Sequence, residues 1–195
     1  MELKDISCAA IQESVNWCDG MAEYPGVRNK ILYLAKSRIA TYPKLPTDES
    51  GNYKGNTYVG DFELKADEYW REIDIVPDRS QLTSDPQGEP PSQTQLNKLT
   101  AVHAGVSEQA SKIALFVNNS DNIYLVQDMK GKWRVVGSEL YAVKSTFSQD
   151  NGQGATGQAG STLNVEATDV VSAPFYNGKI MIKSGEEIID INAKE

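Results

Sequence analysis

A strand–turn–strand pattern at residues 123–137 constrains the fold of this chain more than any other segment. Residues 123–128 and 132–137 are rich in apolar and β-branched side chains, as paired strands are. Met129-Lys130-Gly131 between them supplies a turn, in which the glycine tolerates a left-handed backbone. The segment carries no group suited to catalysis. It is built to be buried and paired, and we expect its pairing partner to be other copies of the same protein.

Composition and charge exclude several classes of protein. With 195 residues, 39% of them apolar and 24% charged, the chain fits one folded domain or a domain with long arms. The formal net charge of −8 argues against nucleic-acid binding through a basic surface, yet it suits a protein that lets nucleic acid pass without adhering. No stretch approaches the roughly 18 apolar residues of a membrane span, and no secretory leader is evident, so we expect a protein made in the cytoplasm without a membrane anchor.

The residue types needed for catalysis or metal binding are sparse. His103 is the single histidine, and Cys8 and Cys18 are the only cysteines, which disfavours a zinc site, a disulfide framework or a catalytic triad. The glycine-rich segment 151–157 lies between two predicted strands, whereas a dinucleotide-binding loop joins a strand to a helix, so it is interpreted as a plain loop. We therefore expect no enzymatic activity, no metal and no cofactor.

The periodicity of apolar residues predicts a β-rich chain with one helix. Ser107 is a good N-cap, and the apolar stripe after it predicts a helix that ends at Asn118-Asn119. Strands are predicted at 27–39, 58–64, 69–76, 93–103, 123–128, 132–137, 140–147, 162–171, 179–182 and 187–191. A helix is the alternative for 27–39 and for 93–103. We interpret residues 1–24 as an N-terminal arm and 25–195 as a single α+β domain, a β-sandwich or barrel with one flanking α-helix.

Two segments are candidate functional surfaces. In the predicted strand 69–76, Glu72 and Asp74 alternate with Ile73 and Ile75, which predicts an apolar face and a solvated acidic face. Residues 78–92 contain three prolines, one glycine and almost no apolar side chains. Such a composition cannot build a core, so we predict a long projecting loop there. Long loops often carry an interaction.

The order of these elements resembles the tail tube, or major tail, proteins of long-tailed bacteriophages. The resemblance covers residues 58–180. It rests on the helix and the residues after it (107–122), on the hairpin (123–126, 128–131 and 133–138), on the loop and strand that follow (156–157 and 159–163) and on a late turn (175–178). The inner tubes of contractile injection systems and of type VI secretion systems share this architecture. The loop 42–56 and the tail 186–195 do not match an element of the family.

The resemblance implies a structural virion protein, made in the host cytoplasm and located in the phage tail. Its copies would form rings, hexameric in the family, that stack into a hollow tube through which double-stranded DNA passes without specific binding. Other tail or connector proteins would be its further partners. The long loop 77–92 would contact a neighbouring subunit, through Pro77, Asp78, Leu82, Pro86, Gly88, Pro90 and Pro91. The N-terminal arm would do the same, and Glu72 and Asp74 would face solvent or the lumen.

Two other functions stay open. One is a head–tail connector or tail-completion protein, which forms a single ring and does not polymerise. The other is a monomeric carbohydrate- or ligand-binding β-domain, which would expose a cluster of aromatic side chains on one sheet face. Trp17, Trp70 and Trp133 are spread along the chain, which disfavours the binding domain.

Overall fold

A computed structural model describes residues 14–193, which form a β-rich fold with one α-helix. The strands are β1 Val27–Ala35, β2 Ile39–Thr41, β3 Glu63–Leu64, β4 Arg71–Asp74, β5 Gln81–Gln87, β6 Thr94–Ala104, β7 Asn122–Asp128, β8 Trp133–Val136, β9 Val143–Asp150, β10 Gly160–Asp169, β11 Phe175–Tyr176, β12 Met181–Ser184 and β13 Glu187–Asp190. Helix α1 spans Glu108–Val117, and 3₁₀ turns span Lys36–Arg38 and Pro77–Arg79. The predicted fold class is confirmed in its sandwich form, since within residues 14–193 no sheet closes into a barrel.

Two antiparallel sheets pack face to face around the main core. One has five strands in the order β11-β8-β7-β1-β4, and the other has four in the order β5-β6-β10-β9. Side chains alternate between the two faces, so on β10 Leu163 and Val165 are buried whereas Asn164 and Glu166 are exposed. The inward side chains of both sheets form one apolar cluster. This arrangement is a β-sandwich.

The five-stranded sheet is buried on its second face as well. A second core lies there, formed by Leu32, Leu34, Ile39, Phe62, Trp70, Ile123, Leu125, Trp133, Val135, Tyr176, Ile180 and Ile182. The Phe62 ring lies at its centre, with ring centroids 5.4 Å from Trp70 and 5.0 Å from Tyr176. Because β7 is covered on both faces, its residues 123–126 are all apolar or aromatic and fully buried. The unbroken apolar run that dominates the sequence is the consequence of this middle position.

Helix α1 packs against β9 at one edge of the four-stranded sheet. The Ser107 hydroxyl accepts a hydrogen bond from the Ala110 N–H at 3.1 Å, which confirms the predicted N-cap. Ala110 and Val117 are buried against the main core, whereas Leu115 faces solvent. The helix therefore covers the sheet edge with its apolar stripe.

The hairpin β7–β8 lies in the middle of the five-stranded sheet, so the prediction that it pairs with other copies is wrong. β7 pairs with β1, and β8 pairs with β11, all from the same chain. The Leu125 side chain, for example, is fully buried between Leu32 and Val135 of its own neighbouring strands. Strand pairing between distant segments is not visible in a local pattern, which is why the partner was misassigned.

The segment 77–92 is not the projecting loop that its composition predicts. After the 3₁₀ turn, residues 81–87 form β5, which pairs in antiparallel register with β6. An edge strand needs apolar side chains on one face only, and here Leu82 alone packs on the main core. Pairing with the long strand β6 overrides the weak intrinsic strand propensity of these residues. Only residues 88–93 project, as an exposed tip.

Other differences are shifts of element boundaries. The predicted strand 58–64 is reduced to β3, and the strand predicted at 140–147 lies at 143–150, so that the glycine-rich loop covers 151–159. The helix alternatives for 27–39 and 93–103 are wrong, since both segments pair as strands. Residues 14–26 contain no helix or strand, and the part of the predicted arm at 1–13, with Cys8, lies outside the described residues. Helix α1, the one α-helix within residues 14–193, has ten residues and is too short to span a membrane.

Candidate functional site

At β9, one edge of the four-stranded sheet, side chains that follow helix α1 bond the outward backbone of Val143 and Phe147. The Phe147 N–H donates to Asn118 Oδ1 at 2.5 Å, and Asn118 Nδ2 donates to the Phe147 carbonyl oxygen at 3.1 Å. The Val143 N–H donates to the Asp121 carboxylate at 2.9 Å. The Asn118 amide therefore presents one acceptor and one donor, as the backbone of an additional strand would.

The pairing register shows which backbone groups of β5 point away from the sheet. In antiparallel strands, successive residues direct their N–H and C=O groups alternately to the two sides. Val143 and Phe147 bond outward from β9, which fixes the alternation across the sheet. Following the register through β10 and β6 gives Leu82, Ser84 and Pro86 as the residues of β5 that point outward.

The outward edge of β5 is open. Among residues 14–193, no hydrogen bond reaches the outward backbone groups of Leu82, Ser84 or Pro86. Proline is tolerated at this position because its missing N–H would have pointed away from β6. The N–H groups of Leu82 and Ser84 and the carbonyl groups of all three residues can pair with an added strand. The β9 edge is therefore bonded at Val143 and Phe147 and packed by helix α1, whereas the β5 edge is unbonded at all three outward residues.

The outer face of the same sheet is polar, and its charged side chains are paired. Lys98 lies 3.2 Å from the Asp85 carboxylate, and Lys144 lies 3.8 Å from that of Glu166. Most other outward side chains carry hydroxyl or amide groups, among them Thr83, Thr100, Thr146, Ser148, Thr162, Asn164 and Thr168. This face presents no excess of cationic groups to a phosphate backbone.

The residues predicted to form an interface lie along the open edge and the tip beyond it. Asp78, Pro86, Gly88, Pro90 and Pro91 are exposed, whereas Pro77 and Leu82 are half-buried. They share one side of the sandwich because β5 runs straight from the 3₁₀ turn to the tip. The Leu82 side chain packs on the main core, whereas its backbone N–H and C=O point outward at the open edge.

Glu72 and Asp74 lie on β4, at the edge of the other sheet. Both are exposed whereas Ile73 and Ile75 are buried, which confirms the predicted alternation. Lys30 Nζ donates to Glu72 at 3.0 Å, and this hydrogen bond raises the pKa of Lys30. His103 Nδ1 lies 2.7 Å from the Asp74 carbonyl oxygen, so the single histidine has a structural hydrogen bond. A role of the two carboxylates at a lumen stays a prediction.

A buried carboxyl group at the end of β10 was missed in the sequence. Asp169 is 2% exposed, and its Oδ1 accepts the Val170 N–H at 2.7 Å. Its Oδ2 is buried and has no hydrogen-bond partner among the described residues. Burial raises the pKa of this carboxyl to about 6. The sequence did contain a signal for this burial. Side chains two residues apart in a strand share a face, and Asp169 lies at this spacing after the inward-facing Leu163 and Val165.

Asp169→Asn is expected to stabilise the protein at neutral pH. The carboxyl pKa rises from its usual 3.8 to about 6 on folding, so its stabilising contribution is present below pH 3.8 and is lost as the pH rises through 6. Two pKa units correspond to about 3 kcal/mol, so we expect the variant to gain about 1–3 kcal/mol at about pH 7.5 and nothing at about pH 4. Urea unfolding at both pH values measures the gain. Glu166→Gln on the outer face of the same strand is the control, and an equal gain at both pH values would contradict the assignment.

Neither a metal centre nor a known relative indicates a function. Within residues 14–193, no three His, Cys, Asp or Glu side chains are placed to hold a metal ion. Cys18 is exposed on the arm. No protein-family model, curated protein or solved structure matches this chain. The shape and bonding of the sheet edges are therefore the basis for a functional proposal.

Proposed function

We propose that this protein is a self-assembling structural subunit, of the kind that builds the tail tubes of long-tailed bacteriophages. The observation that carries the proposal is the open edge of β5 in a sheet whose other edge is closed by Asn118. Because helix α1 and Asn118 lie along β9, a copy that adds head-to-tail at β5 uses a surface other than β9. Such head-to-tail contacts generate rings where the rotation closes, and helical filaments where it does not.

The N-terminal arm supplies that second surface. Residues 14–26 contain no helix or strand, and they expose large apolar side chains, including Val15 at 98% and Trp17 at 64%. Met21 and Tyr24 are also exposed. Burying a side chain of this size contributes about 1.5–3 kcal/mol, which favours burial of the arm against a neighbour. An extended arm can add a strand to the open edge of β5, with backbone hydrogen bonds for affinity and alternate side chains for specificity.

The polar outer face of the four-stranded sheet is suited to line a tube through which DNA passes, and this supports the proposal. Its two lysines, Lys98 and Lys144, are balanced by the carboxylates of Asp85 and Glu166, so these four groups carry no net positive charge to attract phosphate. The net charge of −8 opposes adhesion of nucleic acid to the assembly as a whole. A tube wall that does not bind phosphate, and that carries no large charge of its own on this face, lets a DNA duplex slide past.

Sedimentation velocity across a concentration series tests whether the chain assembles in this way. We expect growth from the monomer to large species without a stable dimer, and persistence of these species in about 1 M NaCl, since strand pairing and apolar burial are not screened by salt. A discrete dimer would indicate that two β5 edges pair with each other. A monomer at every concentration would overturn the proposal, whereas a single ring that does not stack would favour a connector.

A further inference from the structure

The carboxyl of Asp169 lies in the wall of a cleft that is separate from the open edge of β5. The cleft has a volume of about 290 Å³ and lies between residues 43–58, residues 138–140 and the end of β10. The rings of Tyr53 and Tyr58 and the carboxylate of Glu139 also line it. Leu140 lines it as well and is 72% exposed, so this side chain can move aside at little cost in packing.

The charges around the cleft leave Asp169 without a cation as a direct partner. The charge of Lys36 acts on Asp169, but Lys36 Nζ contacts the Asp121 carboxylate at 3.0 Å and the Tyr141 carbonyl oxygen at 2.6 Å. Lys44 lines the cleft and forms no ion pair with any residue in 14–193. Asp169 is thus a buried acceptor with one oxygen unused. A buried oxygen of this kind costs free energy until a donor reaches it.

We propose that the cleft binds one primary ammonium or guanidinium group, with Asp169 as the acceptor of its hydrogen bonds. A cationic donor hydrogen-bonds the unused oxygen and also neutralises the charge of the carboxylate. Such charge-assisted hydrogen bonds are stronger than those between neutral groups. The rings of Tyr53 and Tyr58 can cover the alkyl stem and attract the cation. A divalent metal fits less well, because only Asp169 and Glu139 among the lining residues are carboxylates. The cation can come from a lysine or arginine of another copy, or from a small diffusible amine.

NMR titration with n-butylammonium and methylguanidinium tests the site. The amide of Val170 is the reporter, since its N–H is bonded to Asp169. We expect saturable shifts at Val170 with both probes and none with n-butanol, which has the same chain length without the charge. Asp169→Asn should weaken binding at least tenfold, whereas Glu166→Gln, on the outer face, should leave it unchanged.

The pH dependence identifies which carboxyl binds the cation. Burial raises the pKa of Asp169 to about 6, so binding should be about tenfold weaker at pH 5 than at pH 7.5. Glu139, Lys44, Tyr53 and Tyr58 are the other ionisable groups that line the cleft, and Lys36 is near enough to act on Asp169. Glu139→Gln should keep this pH dependence, because the proton that competes with the probe is bound by Asp169.

Each outcome bears on the site independently of the proposed assembly. Equal shifts in wild type and Asp169→Asn, or no shift with either probe, would overturn the site. The Asp169 carboxyl would then have no ligand other than water. If the probes bind and Asp169→Asn also fails to assemble, the cation comes from another copy. If the probes bind and this variant assembles like wild type, the ligand is a diffusible amine. Probe binding by a protein that never assembles would refute the proposed function and support the site.

Discussion

Replacing Ser84 by proline is expected to abolish assembly while the subunit stays folded. The N–H of Ser84 points outward from β5, so its loss removes no bond to β6. The same change removes a donor that an added strand needs and places a ring in its path. Loss of one such bond costs about 1–3 kcal/mol per contact, and the cost is repeated at every subunit of a polymer. Sedimentation of the variant at concentrations where wild type assembles measures the loss of assembly. Its thermal melting curve measures whether the subunit stays folded.

Ser84→Ala is the matched control for the proline variant. The Ser84 hydroxyl donates to Asn97 Oδ1 at 2.6 Å, and both substitutions remove this bond. Asn97 keeps bonds to Val171 and Ala173, so the alanine variant should lose about 1 kcal/mol of stability and assemble normally. Assembly of the proline variant at the wild-type concentration would show that the edge of β5 is not the contact.

Asn118→Ala is expected to destabilise the subunit and to open a second sheet edge. The Phe147 N–H and carbonyl groups lose their partners together, which we expect to lower the free energy of unfolding by about 2–4 kcal/mol. The unpaired groups of β9 then become available to other chains, so irregular aggregates should appear besides ordered assemblies. Chemical unfolding and light scattering measure the two effects.

Asn119→Ala is the matched control for this change. Its Nδ2 donates to the Leu115 carbonyl oxygen at 2.8 Å on the exposed side of the helix end. Loss of this solvated bond should cost less than about 1 kcal/mol and leave β9 closed. If both alanine variants were equally stable and equally soluble, Asn118 would not be the group that closes the edge.

The elements with strong local signals were predicted from the sequence. Helix α1 has a serine cap and an apolar stripe, and both are properties of neighbouring residues. The turn of the hairpin 123–137 is likewise local, and its strands are confirmed. The alternation of Glu72 and Asp74 with buried neighbours needed only the period of a strand.

The features that carry the functional proposal depend on contacts between distant segments. β5 is polar and contains proline, so only its pairing with β6 makes it a strand. Whether a sheet edge is open depends on the whole strand order, and the closing residue Asn118 is separated in sequence from Phe147, which it bonds. Asp169 was visible only as an acidic residue in an inward phase, and its unused oxygen is a property of the packed structure.

Negative-stain electron microscopy of the purified protein at high concentration tests the central claim most directly. Head-to-tail addition at β5 predicts rings, and hollow tubes where rings stack, with none of either in the Ser84→Pro variant. Isolated particles of monomer size in wild type at every concentration would contradict the claim. Tubes that form equally in wild type and in the proline variant would contradict the role of the β5 edge.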